Sequence, residues 1–151
     1  MTRRGFTLVE MLMVVVIVML LAGLGLLKYI DLKATARTTA LAADFRAVTV
    51  AALNYYADHE EWPPDAGPGL VPAGLESYLP GGLAQSFVRP TYTLEFDNSL
   101  SAGAGMVAIA VTSPDTKQIN KFMSTFSSRA PFFQSGGGRL SYLIAGPGGV
   151  F

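Results

Sequence analysis

The sequence has no cysteine and one histidine, His59, and eleven acids balance eleven Lys and Arg to a formal net charge of +0. Each shortage closes off a class of function. Without cysteine there is no disulfide framework and no thiolate metal site. His59 stands beside Glu60 and Glu61, but no second His or Cys completes a metal or acid–base site. It reads as a solvated helix end. A neutral balance supplies no basic field for nucleic acid. Proline and glycine are both missing between Lys28 and Asp58, so nothing there interrupts a helix.

What is present is apolar. Half of the 151 residues are hydrophobic and only 15% are charged, and much of the excess lies at the start. A basic leader, residues 1–5, meets an apolar run from Phe6 to Leu27 that is broken by one charge, Glu10. As a helix, some 22 residues reach about 33 Å, enough to cross a bilayer core. The run is longer than the apolar core of an ordinary secretory signal, and Ala22, Gly23 and Gly25 match a cleavage site weakly. Near Lys28 the chemistry changes. Leu41, Phe45, Val48, Ala52 and Tyr55 form one apolar stripe at helical spacing, with Lys33, Arg37, Asp44, Arg46 and Asp58 around it. The helix is therefore expected to continue and to pack one face on a domain. Gly23 and Gly25 are its flexible points, each costing about 1 kcal/mol relative to Ala. The expected organisation is a leader at 1–5, an apolar helix at 6–27 and a globular part at 28–151 that includes the amphipathic helix 28–60.

The helix ends before Trp62-Pro63-Pro64. Pro64 to Pro90 reads as a loop with a short element at Leu75–Leu79, closed by Pro80-Gly81-Gly82. Beyond Pro90 the period becomes two. Strands are expected at Thr91–Phe96, Met106–Thr112 and Arg139–Ala145, with Asp97–Gly105 as a hairpin connection. Ser113-Pro114-Asp115 offers an N-cap for a short helix whose apolar face is Ile119, Phe122, Met123 and Phe126. Gly136-Gly137-Gly138 lacks the Lys-Ser/Thr of a phosphate loop and reads as a turn. Asp58, Glu60, Glu61 and Asp65 carry oxygens that could hold Ca²⁺. Phe132, Phe133 and Trp62 read as core or subunit contacts. The pattern gives an α+β fold.

Arg3-Arg4-Gly5-Phe6-Thr7-Leu8-Val9-Glu10, followed by the apolar run, resembles the class III signal of type IV pilins and type II secretion pseudopilins. Tyr55-Tyr56-Ala57-Asp58-His59-Glu60-Glu61-Trp62-Pro63 is similar, less closely, to the end of the first pseudopilin helix. The resemblance implies a pilin-like fold, one long N-terminal helix packed on a small antiparallel sheet. It implies that a prepilin peptidase cuts between Gly5 and Phe6 and methylates the amine of Phe6. Glu10 would then neutralise the Phe6 amine of a neighbouring subunit; the alternative is that Glu10 snorkels to water at the membrane edge. The implied partners are further copies or other pilins and pseudopilins, the peptidase and an inner-membrane assembly platform. The implied location is the bacterial inner membrane, single-pass, with the N-terminus cytoplasmic and the C-terminal domain periplasmic, and then a filament. Charge does not supply this orientation, since Lys28, Lys33 and Arg37 follow the span as Arg3 and Arg4 precede it.

The chain departs from the family pattern in three ways. It cannot form the C-terminal disulfide of many type IV pilins. It lacks the helix proline that pilins often carry. Asp115 is the only acid after Glu95 and Asp97, so the C-terminal Ca²⁺ loop of major pseudopilins is not visible. No catalytic residue, metal site or cofactor is expected, and the chain reads as a structural subunit and not an enzyme. The competing reading is a membrane-tethered periplasmic binding module that does not polymerise. Such an anchor would need neither Gly5 before Phe6 nor Glu10.

Overall fold

The computed structural model describes residues 6–99, 105–126, 131–136, 138–146 and 149–150. Its first element, α1 (Leu8–His59), is one helix of 52 residues that runs unbroken through Gly23 and Gly25. The chain divides into two compact units, Met1–Ala36 and Arg37–Phe151.

In the first unit every described side chain of α1 is exposed, including the run from Leu8 to Leu26. A helix that is apolar all round needs an apolar surrounding. This one is long and apolar enough to cross a membrane.

In the second unit α1 is amphipathic and its stripe faces inward. Leu41, Phe45, Val48 and Ala52 are buried and Tyr55 packs against them half-buried, joined by Ala42 and Ala51. The helix stops where Glu60 turns left-handed (φ 57°) while its N–H still reaches the Tyr56 carbonyl at 2.8 Å. Pro63 and Pro64 then prevent further turns.

The core face of α1 meets an antiparallel sheet. Its strands are β1 (Thr93–Asn98), β2 (Val107–Thr112), β3 (Phe132–Ser135), β4 (Arg139–Gly146) and β5 (Gly149–Val150). The order is β1-β2-β4-β3, with β5 also paired to β4. Period two sorts the faces. Phe96, Ile109, Tyr142 and Phe132 form one row across the strands, and Leu94, Val111, Leu140 and Gln134 the next. All but Phe132, Tyr142 and Gln134 in these rows are buried. Between them, on the opposite face, Glu95, Ala110, Ser141 and Phe133 line up. A second helix, α2 (Thr116–Met123), starts at Asp115, whose carboxylate accepts the N–H groups of Lys117 and Gln118. Phe45 is the hub, with ring centroids 5.3 Å from Phe122, 5.8 Å from Phe126 and 5.6 Å from Tyr142.

The loop between α1 and β1 buries Leu75, Leu79, Leu83 and Phe87. It also lies along the outer side of β1. Gly69 N–H donates to Leu94 O at 2.9 Å, Leu94 N–H donates to Phe87 O at 3.0 Å, and Phe87 N–H donates back to Gly69 O at 3.1 Å. Gly69 sits at φ 78°, and a Cβ there would come within 2.7 Å of Val88 Cγ2.

The α+β arrangement is the one the sequence implies, with differences of detail. The sheet has two strands beyond the three expected, β3 and β5. β1 begins two residues late, because Arg89 N–H bonds to Tyr92 O across a turn at Pro90-Thr91. Gly81-Gly82 belongs to a second 3-10 turn, Gly81–Leu83, after the one at Leu75–Tyr78. Gly136 and Gly138 do lie in a turn. Gly138, at φ 75°, would bring a Cβ within 2.4 Å of the Ser113 carbonyl oxygen. The middle of the Asp97–Gly105 connection, residues 100–104, and Gly137 lie outside the described residues.

Candidate assembly site

The start of α1 is built by two residues. Thr7 precedes the first helical residue and Glu10 follows it by three positions. The first amides of a helix have no internal acceptor. Here Thr7 N–H donates to Glu10 Oε2 at 2.8 Å and the Thr7 hydroxyl donates to the same oxygen at 2.9 Å. In return, Glu10 N–H donates to Thr7 Oγ1 at 3.3 Å. This is a reciprocal capping box. Phe6 is 80% exposed just ahead of it. Gly5 and the rest of residues 1–5 lie outside the described residues. Sequence reasoning singled out Phe6 and Glu10 and missed Thr7, although the three-residue spacing of a Thr and a Glu before an apolar run was there to read.

In the second unit three polar groupings pin the fold. Arg89 Nε and the Tyr92 hydroxyl both donate to Asp44 Oδ2, each at 2.9 Å. Burial first, and the Asp44 carboxylate second, push the Tyr92 phenol well above its ordinary range. On the outer sheet face Arg139 pairs with Glu95 and reaches Asp97 Oδ2 at 3.5 Å. Burial raises the Glu95 carboxyl, and Arg139 opposes that shift. At the end of α1 the Tyr78 hydroxyl donates to Asp58 Oδ2 at 2.8 Å and His59 stacks on Tyr55 at 4.2 Å. The His59 Nδ1 lies 3.0 Å from the Tyr55 carbonyl oxygen, so that nitrogen carries the proton.

These groups serve the fold. Asp58 is occupied by Tyr78, and Asp65 accepts the Gly67 N–H at 2.9 Å. Among the described residues no three His, Cys, Asp or Glu are arranged to hold a metal ion. A groove of about 280 Å³, lined by Phe45, Arg46, Thr49, Val50, Phe126 and Tyr142, is mostly apolar. Trp62 is half-buried and stacks on Tyr56 at 4.5 Å; Phe132 packs on the core and Phe133 is exposed.

Comparison with known families agrees with the N-terminal geometry. The family described as "Prokaryotic N-terminal methylation motif" matches residues 1–26, and the family described as "PilW, C-terminal" matches residues 33–89. A search of curated proteins finds no match. The second match covers the packed half of α1 and the loop up to Arg89, the residue that ties that loop back to Asp44. The methylation motif accounts for the apolar start of α1 and the second match for the helix and loop that follow, and together they support a type IV pilin-like protein.

Proposed function

We propose that the chain is a structural subunit of a type IV pilus-like or type II secretion pseudopilus filament. In this reading a prepilin peptidase cuts between Gly5 and Phe6 and Phe6 becomes N-methylated. The processed chain waits in the inner membrane as a single-pass protein, N-terminus cytoplasmic and second unit periplasmic. It then packs helix on helix with further copies or with other pilins and pseudopilins, at an assembly platform in that membrane.

The observation that carries the reading is the acid at the start of an otherwise apolar helix. A carboxylate in a membrane span costs about 3 kcal/mol at mid-bilayer. The capping box reduces that cost, because Thr7 supplies two donors. Both go to Glu10 Oε2. The other oxygen, Oε1, is the one to receive the amine of Phe6 from a neighbouring subunit. Assembly then exchanges a half-satisfied carboxylate and a bare amine for an ion pair in a dry core. A plain membrane anchor needs neither the glycine before Phe6 nor an acid at Glu10.

The experiment is intact mass measurement of protein extracted from membranes of cells that contain prepilin peptidase. The expected mass is that of residues 6–151 plus one methyl group. A chain that still begins at Met1 or Thr2 overturns the reading.

A further inference from the structure

Exposed carboxylates gather at one end of α1 in the second unit. Between Arg46 and Arg89 the sequence has five carboxylates, Asp58, Glu60, Glu61, Asp65 and Glu76, and no Lys or Arg. The fold gathers them at one end. Asp58, Glu60 and Glu61 close α1. The bond from the Tyr78 hydroxyl to Asp58 holds the 3-10 turn of Glu76 against that helix end. Asn98 Nδ2 donates to Pro63 O at 2.8 Å, which brings the end of β1, with Asp97, to the same place. All five carboxylate residues of the stretch are exposed.

Positive charge collects where α1 enters this unit. α2 buries Gln118, Ile119 and Phe122, so Lys117 and Lys121, one turn apart, are on its outer side. Gln118 Nε2 donates to the Arg37 carbonyl at 3.4 Å, which fixes α2 beside the first residue of the unit. Arg46 stands 5.8 Å over the ring of Phe126, just beyond α2. Arg37, Arg46, Lys117 and Lys121 are all exposed. Arg89 pairs with Asp44, and Arg139 with Glu95 and Asp97.

From Arg37 to Asp58 the helix rises about 32 Å, several times the roughly 8 Å screening length of physiological salt. The two ends are too far apart to neutralise each other. We propose that they do so between molecules: the acidic end of α1 in one copy docks on the basic face of α2 in a second copy. The contact is heterologous, one patch against a different patch, so its repetition produces an open series and not a closed dimer. It rests on the subunit reading above and adds the surfaces through which the second units meet. An anionic bilayer would engage only the basic face. A second copy satisfies both ends with one contact.

The test is charge reversal and its repair in the full-length chain, read as sheared-filament yield at equal membrane protein level. Glu60→Lys with Glu61→Lys, and separately Lys117→Glu with Lys121→Glu, should each cut the yield at least about tenfold, since like charges then face each other. The four changes together in one chain exchange the two ends and should restore most of the yield. Because the chain has no cysteine, Glu61→Cys on one tagged copy and Lys117→Cys on another should also cross-link under mild oxidation, while two copies of either single variant should not. The contact is overturned if the double reversals assemble normally, or if the fourfold variant stays as poor as the doubles while circular dichroism shows it folded. It is also overturned if only the α2 reversal matters, which assigns that face to anionic lipid. Filaments that form in any of these cases leave the subunit reading standing. An unaltered chain that yields no filaments, together with cysteine variants that yield no cross-linked copies, overturns both.

Discussion

Asp44 and Tyr92 share a hydrogen bond of 2.9 Å across 48 positions of sequence, and Arg89 donates to the same carboxylate oxygen. The three residues fasten the loop and the start of β1 to α1. Because burial and Asp44 hold the Tyr92 phenol neutral, its folded value lies above its unfolded one, which is 10. The stability it contributes is therefore complete below about pH 10 and is lost as pH rises from there toward the folded value. Tyr92→Phe should cost about 1 kcal/mol at pH 8 through the lost hydrogen bond. It should also flatten the alkaline decline. Urea unfolding of residues 28–151 at pH 8, 10 and 11 measures both; equally steep declines in the two proteins would assign the alkaline loss to another group, Tyr78 first.

Phe45 is 2% exposed and touches four other rings. Phe45→Ala should destabilise residues 28–151 by about 3 to 5 kcal/mol, the usual range for an aromatic truncated in a core. The check is the urea midpoint. If it does not move, the ring cluster is not what holds α2 and β3 on α1.

The capping box separates two roles of Glu10 that a single alanine change would confuse. Glu10→Gln keeps an acceptor for Thr7 and removes the charge. Thr7→Ala keeps the charge and removes the cap, at about 1 kcal/mol of helix stability. Glu10→Ala removes both, and membrane insertion should persist or improve because a polar group leaves the span. All three should still be processed, since the cut lies ahead of Phe6. Filament yield should fall sharply, by about tenfold or more, in both Glu10 variants, because the neighbour's amine then enters a dry core unpaired. Thr7→Ala should stay within about a few-fold of the unaltered chain, in line with its roughly 1 kcal/mol cost. Normal filaments from Glu10→Gln together with poor ones from Thr7→Ala would mean that the cap, and not the charge, is what assembly requires.

Much of α1 could be read from the sequence, because Leu41, Phe45, Val48 and Ala52 repeat at a spacing that only a helix puts on one face, and they are the residues buried. The start of α2 was equally local, with Asp115 capping the next amides. β3 was not legible. Phe132 to Ser135 is four residues long, too short for alternation to separate from chance, and it is a strand because β4 offers it an edge. The same reason hides β5. Of the candidate assembly site, Glu10 is conspicuous in the sequence as a charge among apolar residues, while Thr7 is marked only by its hydrogen bonds. The Asp44–Arg89–Tyr92 junction joins residues 45 and 48 positions apart, and no local pattern marks such a pair.

The bonds from Gly69 and Phe87 to Leu94 have a consequence for crowding. A bare sheet margin is a template on which a stray strand can add, and a polymer holds many identical margins close together. At Leu94 the outward N–H and C=O are already taken by the chain's own loop. An invading strand would have to displace that loop, along with the buried Phe87 that anchors it. Beyond β4 the sheet is finished by β3 and β5, of four and two residues, which offer an intruder little length to pair with. Strand addition is in this way opposed at Leu94 and finds little length on the far side, so concentrating this chain does not by itself invite β-polymerisation.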